Sequence, residues 1–366
     1  MALANWAELP KDLIDLIAKC VKLIEDFIAF GVVCTSWRNS ETKVNFDFLS
    51  PQLPLLMLAD KGDDYREFYS LSKKKVSHVF LPEVRERECY PTEGWICNVK
   101  FDTTEMTLLH PFSRISIQLL LKKELWASAE RFPERRTRYQ CMSIAVLSMS
   151  PSFTSDYVLT ISYYAYNFLA CWRPGDLNWT YVDLDHHGGV SSMIYHKGQF
   201  YCVTNSGQIW VFGVPGPSIP QPIVVKATKV VHIANTIFGN YGYLIELSGA
   251  LLIIFRYRRL AGGDTFRVFE IDVNEVELKK INTLGDYAIF VGLNGALCID
   301  SSNFTEVKSN HIYFTDNDEE VFHCGDGAGR NMGAYNLEDR KTESFYPEES
   351  LSRSGICPPT WVTPSF

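Results

Sequence analysis

Several features are scarce or missing in this chain of 366 residues. No apolar run approaches ~18 residues, the length that a membrane-spanning helix requires. The opening Met1-Ala2-Leu3-Ala4-Asn5-Trp6 has no basic stretch followed by an apolar one, so it does not read as a signal peptide. A cytoplasmic or nuclear protein with no membrane partner is expected. Basic charge is also in deficit: 35 Lys and Arg stand against 43 Asp and Glu, a formal net charge of −8. A nucleic-acid-binding body normally carries a basic surface, so nucleic acid is not an expected partner. The ten cysteines form no Cys-x-x-Cys pair, which removes zinc ribbons and redox motifs. Cys20, Cys34, Cys97, Cys141, Cys171, Cys202 and Cys298 sit inside apolar stretches and read as reduced, buried small hydrophobes. Two sequons, at Asn178 and Asn303, carry no weight without secretion. Apolar residues make up 46% and charged residues 21%, so the chain is globular rather than disordered.

Helical periodicity is confined to the first forty residues or so. Leu9, Leu13, Leu16 and Ile17 fall at i, i+4, i+7 and i+8, one face of a helix. Pro10 suits a first helical turn, where its missing N–H would have no partner anyway. Phe30, Val33, Cys34 and Trp37 repeat the pattern at i, i+3, i+4 and i+7. Between them Val21–Ile28 is apolar, interrupted by Glu25-Asp26. Two or three short helices follow, with more apolar surface than they can bury among themselves. Such a unit is either a helical cap on the next domain or a docking site for a partner's helices.

The residues themselves resemble the F-box, the adaptor-binding module of SCF-type ubiquitin ligases. Leu9-Pro10, Leu13, Ile17, Asp26, Val33-Cys34 and Trp37-Arg38 all fall in that family's register. Departures are mild: Cys20 replaces a larger aliphatic, and Ala29, Gly31 and Thr35 stand where basic residues are frequent. The resemblance implies an F-box over residues 1–48. In it Leu9, Pro10, Leu13, Ile17, Val33 and Trp37 grip a Skp-family adaptor and, through it, a cullin-RING ligase.

Ser50-Pro51-Gln52-Leu53-Pro54 marks a boundary, after which no long helix is predicted. Short strand patterns fall into six groups: 54–81, 95–119, 141–184, 190–226, 243–281 and 288–336. Lys197-Gly198, Asn205-Ser206-Gly207 and Leu247-Ser248-Gly249-Ala250 mark hairpins within them. Groups of about four strands at ~40–50-residue spacing suit the blades of a β-propeller. A sandwich needs fewer strands, and a parallel sheet needs intervening helices. The expected fold is thus mainly β with a small all-α N-terminal module, and a propeller of about six blades, seven being the alternative, over residues 52–366. The first group looks one strand short, and Thr360-Trp361-Val362 is expected to complete it.

A second resemblance covers this region. Glu93-Gly94-Trp95-Ile96, Leu108–Arg114, Cys171–Asp176, Trp179-Thr180, His196–Tyr201, Ile312–Asp316 and Pro358–Pro364 follow the order found in plant F-box proteins with a KIB-type propeller. The Gly325–Gly329 stretch departs from that pattern and reads as a loop insertion.

Other motifs have plainer readings. Asp316-Asn317-Asp318-Glu319-Glu320 alternates carboxylates, but Val321 stands where a calcium loop needs Gly. The glycines of 325–329 do not join a strand to a helix, so the dinucleotide fingerprint fails. His186-His187 and His323-Cys324 are adjacent pairs, whose side chains point to opposite faces of a strand. Arg131, Arg135, Arg136 and Arg138 lie in a mixed-charge loop, either solvated or a contact for an acidic partner. No catalytic residue, metal site or cofactor is expected. The two resemblances together imply a non-catalytic substrate-recognition subunit of an SCF-type ligase, whose propeller binds a target protein. The alternative is a propeller module for a small ligand or glycan that recruits no cullin.

Overall fold

The computed structural model describes residues 6–47, 50–100, 105–119, 142–163, 168–185, 189–214, 224–233, 241–258, 263–315, 331–346, 354 and 356–365. Its first part is helical: α1 (Lys11–Cys20), α2 (Ile24–Gly31) and the single turn α3 (Thr35–Arg38). Ile14, Ala18, Ile24, Phe27, Phe30 and Phe46 form its small core, with Leu9, Ile17 and Trp37 packed against it. The expected helical face Phe30–Trp37 is not continuous. The α2 helix ends at Gly31, whose missing side chain leaves the space taken by the Glu41 carboxylate. Cys34 is extended, so Val33 and Cys34 lie in a link between two helices.

The rest is a ring of six antiparallel-based sheets. Blade one holds β1 (Leu55–Met57), β2 (Tyr65–Ser70) and β3 (Lys75–Phe80). Blade two holds β4 (Arg87–Thr92), β5 (Trp95–Lys100), β6 (Met106–Leu109) and β7 (Ser116–Leu119). Blade three holds β8 (Met142–Leu147), β9 (Leu159–Tyr163), β10 (Phe168–Trp172) and β11 (Thr180–Asp183). Next come β12 (Val190–His196), β13 (Gln199–Thr204) and β14 (Gln208–Phe212) of blade four, followed by β15 (Val224–Lys226) and β16 (Thr228–His232). Blade five is β17 (Tyr241–Leu247), β18 (Ala250–Tyr257), β19 (Thr265–Asp272) and β20 (Glu277–Ile281). Blade six is β21 (Tyr287–Gly292), β22 (Gly295–Asp300), β23 (His311–Phe314), β24 (Gly333–Asn336) and β25 (Thr342–Glu343). The last strand, β26 (Thr360–Val362), returns to blade one and pairs antiparallel with β1, Leu56 opposite Trp361, as the sequence led us to expect.

Strand alternation explains why the ring closes. Successive side chains point to opposite faces, so Leu55 and Met57 pack toward blade two while Leu56 packs toward blade six. One apolar cluster fills each of the six interfaces between neighbouring blades. Polar bonds join the innermost strands. Thr92 Oγ1 accepts from Leu147 N at 2.9 Å, and Ser192 Oγ accepts from Leu244 N at 3.0 Å, each across a blade boundary. Arg256 is fully buried, donating to Asp264 at 2.6 Å and to the Thr315 carbonyl at 2.8 Å beneath the Phe314 ring.

Three strand assignments differ from the sequence reading. The inner strand β4 lies outside the expected groups, and Pro91 stands within it. Pro91 turns its carbonyl to the channel, where Asn294 donates to it, so its missing N–H costs no ladder bond. The stretch 223–226 was assigned to blade four, yet β15 pairs parallel with β11 of blade three, and β16 completes blade four. In blade six the order is β22-β21-β23-β24-β25, with β21 and β23 parallel, so β22 lies inside the channel as an additional innermost strand.

Candidate functional site

The six residues singled out in the helical module divide into two sets. Leu13 is 44% and Val33 56% exposed, and Pro10 is exposed beside them. Leu9, Ile17 and Trp37 are half-buried against the module's own core. The Trp37 ring lies 4.5 Å from Phe30, and its indole N–H donates to the Trp6 carbonyl at 3.1 Å. The face Leu9-Leu13-Leu16-Ile17 is therefore split. Ile14 and Ala18 point inward, and Leu13, Leu16 and Cys20, at i, i+3 and i+7, form a stripe facing outward. Leu16 (58% exposed) and Val32 (69%) are further exposed apolar residues of the module, beyond the six expected from the sequence. Leu16 was visible in the pattern; Val32 sits beyond the end of α2 and has no periodic signal. Asp15 on α1 meets Lys11 at 2.7 Å and accepts from Asn45, and the Lys11 ammonium holds its carboxyl below the usual range.

The module is anchored to the propeller by the acidic pair that interrupts its apolar run. Glu25 accepts from Ser70 Oγ at 2.8 Å and from Ser72 Oγ at 3.4 Å, and Asp26 meets Lys73 at 2.7 Å. Gln52 accepts from Ile24 N at 2.9 Å and donates to the Lys22 carbonyl at 2.8 Å, which caps α2 from the linker. Phe112 packs into both the module's core and the interface of blades one and two. The contacted turns, after β2 and after β6, each join the third and fourth strands of a blade. In an antiparallel blade these lie on the same face as the turns joining the first two strands. Those turns are two-residue hairpins at Glu93-Gly94, Lys197-Gly198 and Ser248-Gly249, with positive φ at both residues, as a type I′ turn requires.

On this face the channel opens into a cavity of ≈ 800 Å³. Its walls are the ends of the inner strands, and Phe46, Ser50, Pro51 and Gln52 of the helical module and linker close one side. The turn between β21 and β22 also lines it. Asn294 donates from Nδ2 to the Pro91 carbonyl at 2.6 Å and the Ala145 carbonyl at 2.9 Å, and accepts from Ala145 N at 2.9 Å. It thus ties blade six to blades two and three across the channel. The charged lining is Glu93, Glu246 and Asp300. Glu246 meets His196 at 2.6 Å. The Ser302 hydroxyl and amide donate to Asp300 and hold its carboxyl below the usual range, so it is ionised at neutral pH. Carboxylates, hydroxyls and amides share the lining with Phe153, Met193 and Trp361.

The acidic run 316–320, the glycines 325–329, the arginines 131, 135, 136 and 138, His186-His187 and His323-Cys324 lie outside the described residues. Among the described residues no helix is long and apolar enough to cross a membrane.

Comparison with known proteins adds a family to this geometry. The family model described as the KIB1-4 beta-propeller matches residues 68–336. Among curated proteins, "F-box protein At2g17036" of Arabidopsis thaliana is 22% identical over 99% of this chain and 95% of its own length. "F-box protein At4g35733" from the same plant is 24% identical over 89% of this chain and 94% of its own length. "F-box protein SKIP23", also of Arabidopsis thaliana, is 22% identical over 99% and 96% respectively.

Proposed function

The chain belongs to the KIB1-4 β-propeller family, and from that premise we propose that it is the target-recognition subunit of an SCF-type ubiquitin ligase. The observation that carries this reading is the outward apolar surface of the helical module. Leu13, Leu16, Val32 and Val33 stay exposed on a folded unit whose sequence has the F-box register, in a chain whose relatives are named F-box proteins. Exposed apolar side chains at helical spacing are what a partner's groove buries.

In this reading residues 1–48 bind a Skp-family adaptor, which bridges to a cullin-RING scaffold. Pro10, Leu13, Leu16, Val32 and Val33 make the contact, while Leu9, Ile17 and Trp37 hold the helices in place beneath it. The propeller, from residue 52 onward, binds the target protein. The chain performs no bond chemistry of its own. It raises the effective concentration of the target's lysines beside a charged conjugating enzyme. The cytoplasm or the nucleus is the setting for such a complex.

Replacing Leu13 with glutamate tests the assignment. A charge buried in an apolar groove without a partner is costly, so adaptor binding should fall at least ~100-fold, or ~3 kcal/mol. Leu13 is exposed and outside the module's core, so the melting temperature should not change. Co-expression with the adaptor followed by gel filtration reads the binding, and a chase in cells reads target turnover. Retained adaptor binding in Leu13→Glu would remove the F-box from this account. Lost binding with no change in any partner's half-life would favour a binding module that recruits no ligase.

A further inference from the structure

The channel-mouth cavity has a composition that the adaptor surface leaves unused. Its three charged lining residues, Glu93, Glu246 and Asp300, are all acidic, and no Lys or Arg joins them among the described residues; Glu246 already meets His196, which leaves Glu93 and Asp300 for a ligand. Blade three also exposes apolar side chains on this face. Phe153 lines the cavity and is 62% exposed, Met149 on the same β8–β9 loop is 49% exposed, and Leu177 on the β10–β11 turn is 82% exposed. Arg173 and Asp156, 3.4 Å apart, tie these two loops of blade three together.

One kind of occupant answers both features. A cationic side chain complements the carboxylates, and a large apolar side chain covers Phe153. A polypeptide supplies both within a few residues. Resting on the target-recognition reading above, we infer that the channel mouth binds an extended segment of the target protein in which Lys or Arg stands beside a large apolar residue. The cavity volume lies in the range of sites that enclose several side chains. Phe46 and Gln52 form part of the wall, so a bound segment touches the helical module as well as the blades.

Panning a displayed library of short random peptides against the full chain in complex with its adaptor tests this. Selected sequences should pair Lys or Arg with Leu, Phe, Met or Trp. A fluorescein-labelled peptide made from them should bind less tightly as salt rises. Its affinity should fall at least about tenfold for Glu93→Gln with Asp300→Asn, and about as much for Phe153→Ser. Val276→Asn, at an exposed apolar position that does not line the cavity, should bind as the parent does. Selection of acidic or uncharged sequences, no selection, or equal binding by all variants would overturn the inference. The same preparation reports adaptor retention. A chain that keeps its adaptor but selects no basic peptide refutes this inference alone, whereas a chain that never holds an adaptor refutes the ligase reading.

Discussion

Cys20, expected to be buried, instead shares the outward stripe of α1 with Leu13 and Leu16 and is exposed, because it falls on the face of the helix turned away from Ile14 and Ala18; Cys97, Cys171 and Cys202 are enclosed between blades as expected. Burial pushes the Cys171 thiol up to about 12, and the Cys97 and Cys202 thiols are raised by the same cause. A raised thiol pKa keeps the protonated, unreactive form until the pH nears that value, so these three should resist iodoacetamide at pH 8, and raising the pH to ~9 should not expose them. Cys20 should be alkylated in the free chain and be protected at least tenfold by the bound adaptor. Peptide mass spectrometry with and without adaptor reads this, and equal rates would put the stripe outside the contact. At this scale the sequence was a partial guide. Leu13 and Val33 could be found from spacing and register. The inward turn of Ile17 and Trp37 could not, because an apolar period marks a face without saying whether the module's own core or a partner covers it. Asn294 gave no signal, since its partners Pro91 and Ala145 are distant in the chain.

Among the elements, β26 is the shortest relative to what depends on it. Its three residues close the ring, and Trp361 packs edge-on to Phe290 at 4.9 Å and against Phe345 at 5.5 Å. Trp361→Ala should destabilise the propeller by about 3–5 kcal/mol and lower its melting temperature by several degrees. Deleting residues 359–366 should cost more and promote aggregation, because it strips the partner from β1 and opens a strand edge. Calorimetry and light scattering would register both effects; an unchanged melt would mean that another contact closes the ring. The closing strand was legible because the first group lacked a strand and one apolar stretch stood apart. The blade-six rearrangement was not: Leu297–Ile299 alternates like any inner strand, and nothing local marks a parallel neighbour. Nor was the division of 224–232, where Val-Val-Lys-Ala-Thr-Lys-Val-Val reads as one run but serves the edges of two blades.

For the molecule as a whole, the attachment of the helical module decides how the two proposed binding surfaces face each other. That attachment is polar on one side, through Glu25, Asp26 and Gln52, and apolar on the other, through Phe112. The partly exposed Asp26–Lys73 ion pair contributes only about 0–1 kcal/mol and the Glu25 hydrogen bonds to two hydroxyls about 1 kcal/mol each, so Glu25→Lys with Asp26→Lys should lower the melting temperature by only a few degrees. It should loosen the hinge, seen as faster amide exchange over residues 22–28 with the inner strands of the blades unaffected. Slow exchange retained at those residues would mean that Phe112 and Gln52 suffice. The composition of the whole chain, helical first and then strands in groups of about four, was enough to foresee this layout, but not which turns the module would rest on. The pairing of Leu55 with Val362 has one further consequence, in the order of synthesis. A nascent chain exposes its helical module early, but its ring stays open until Thr360–Val362 has left the ribosome. Until then β1 lacks its neighbour and the cavity lacks its Trp361 wall, so the surface for the ligase would exist before the surface for the target.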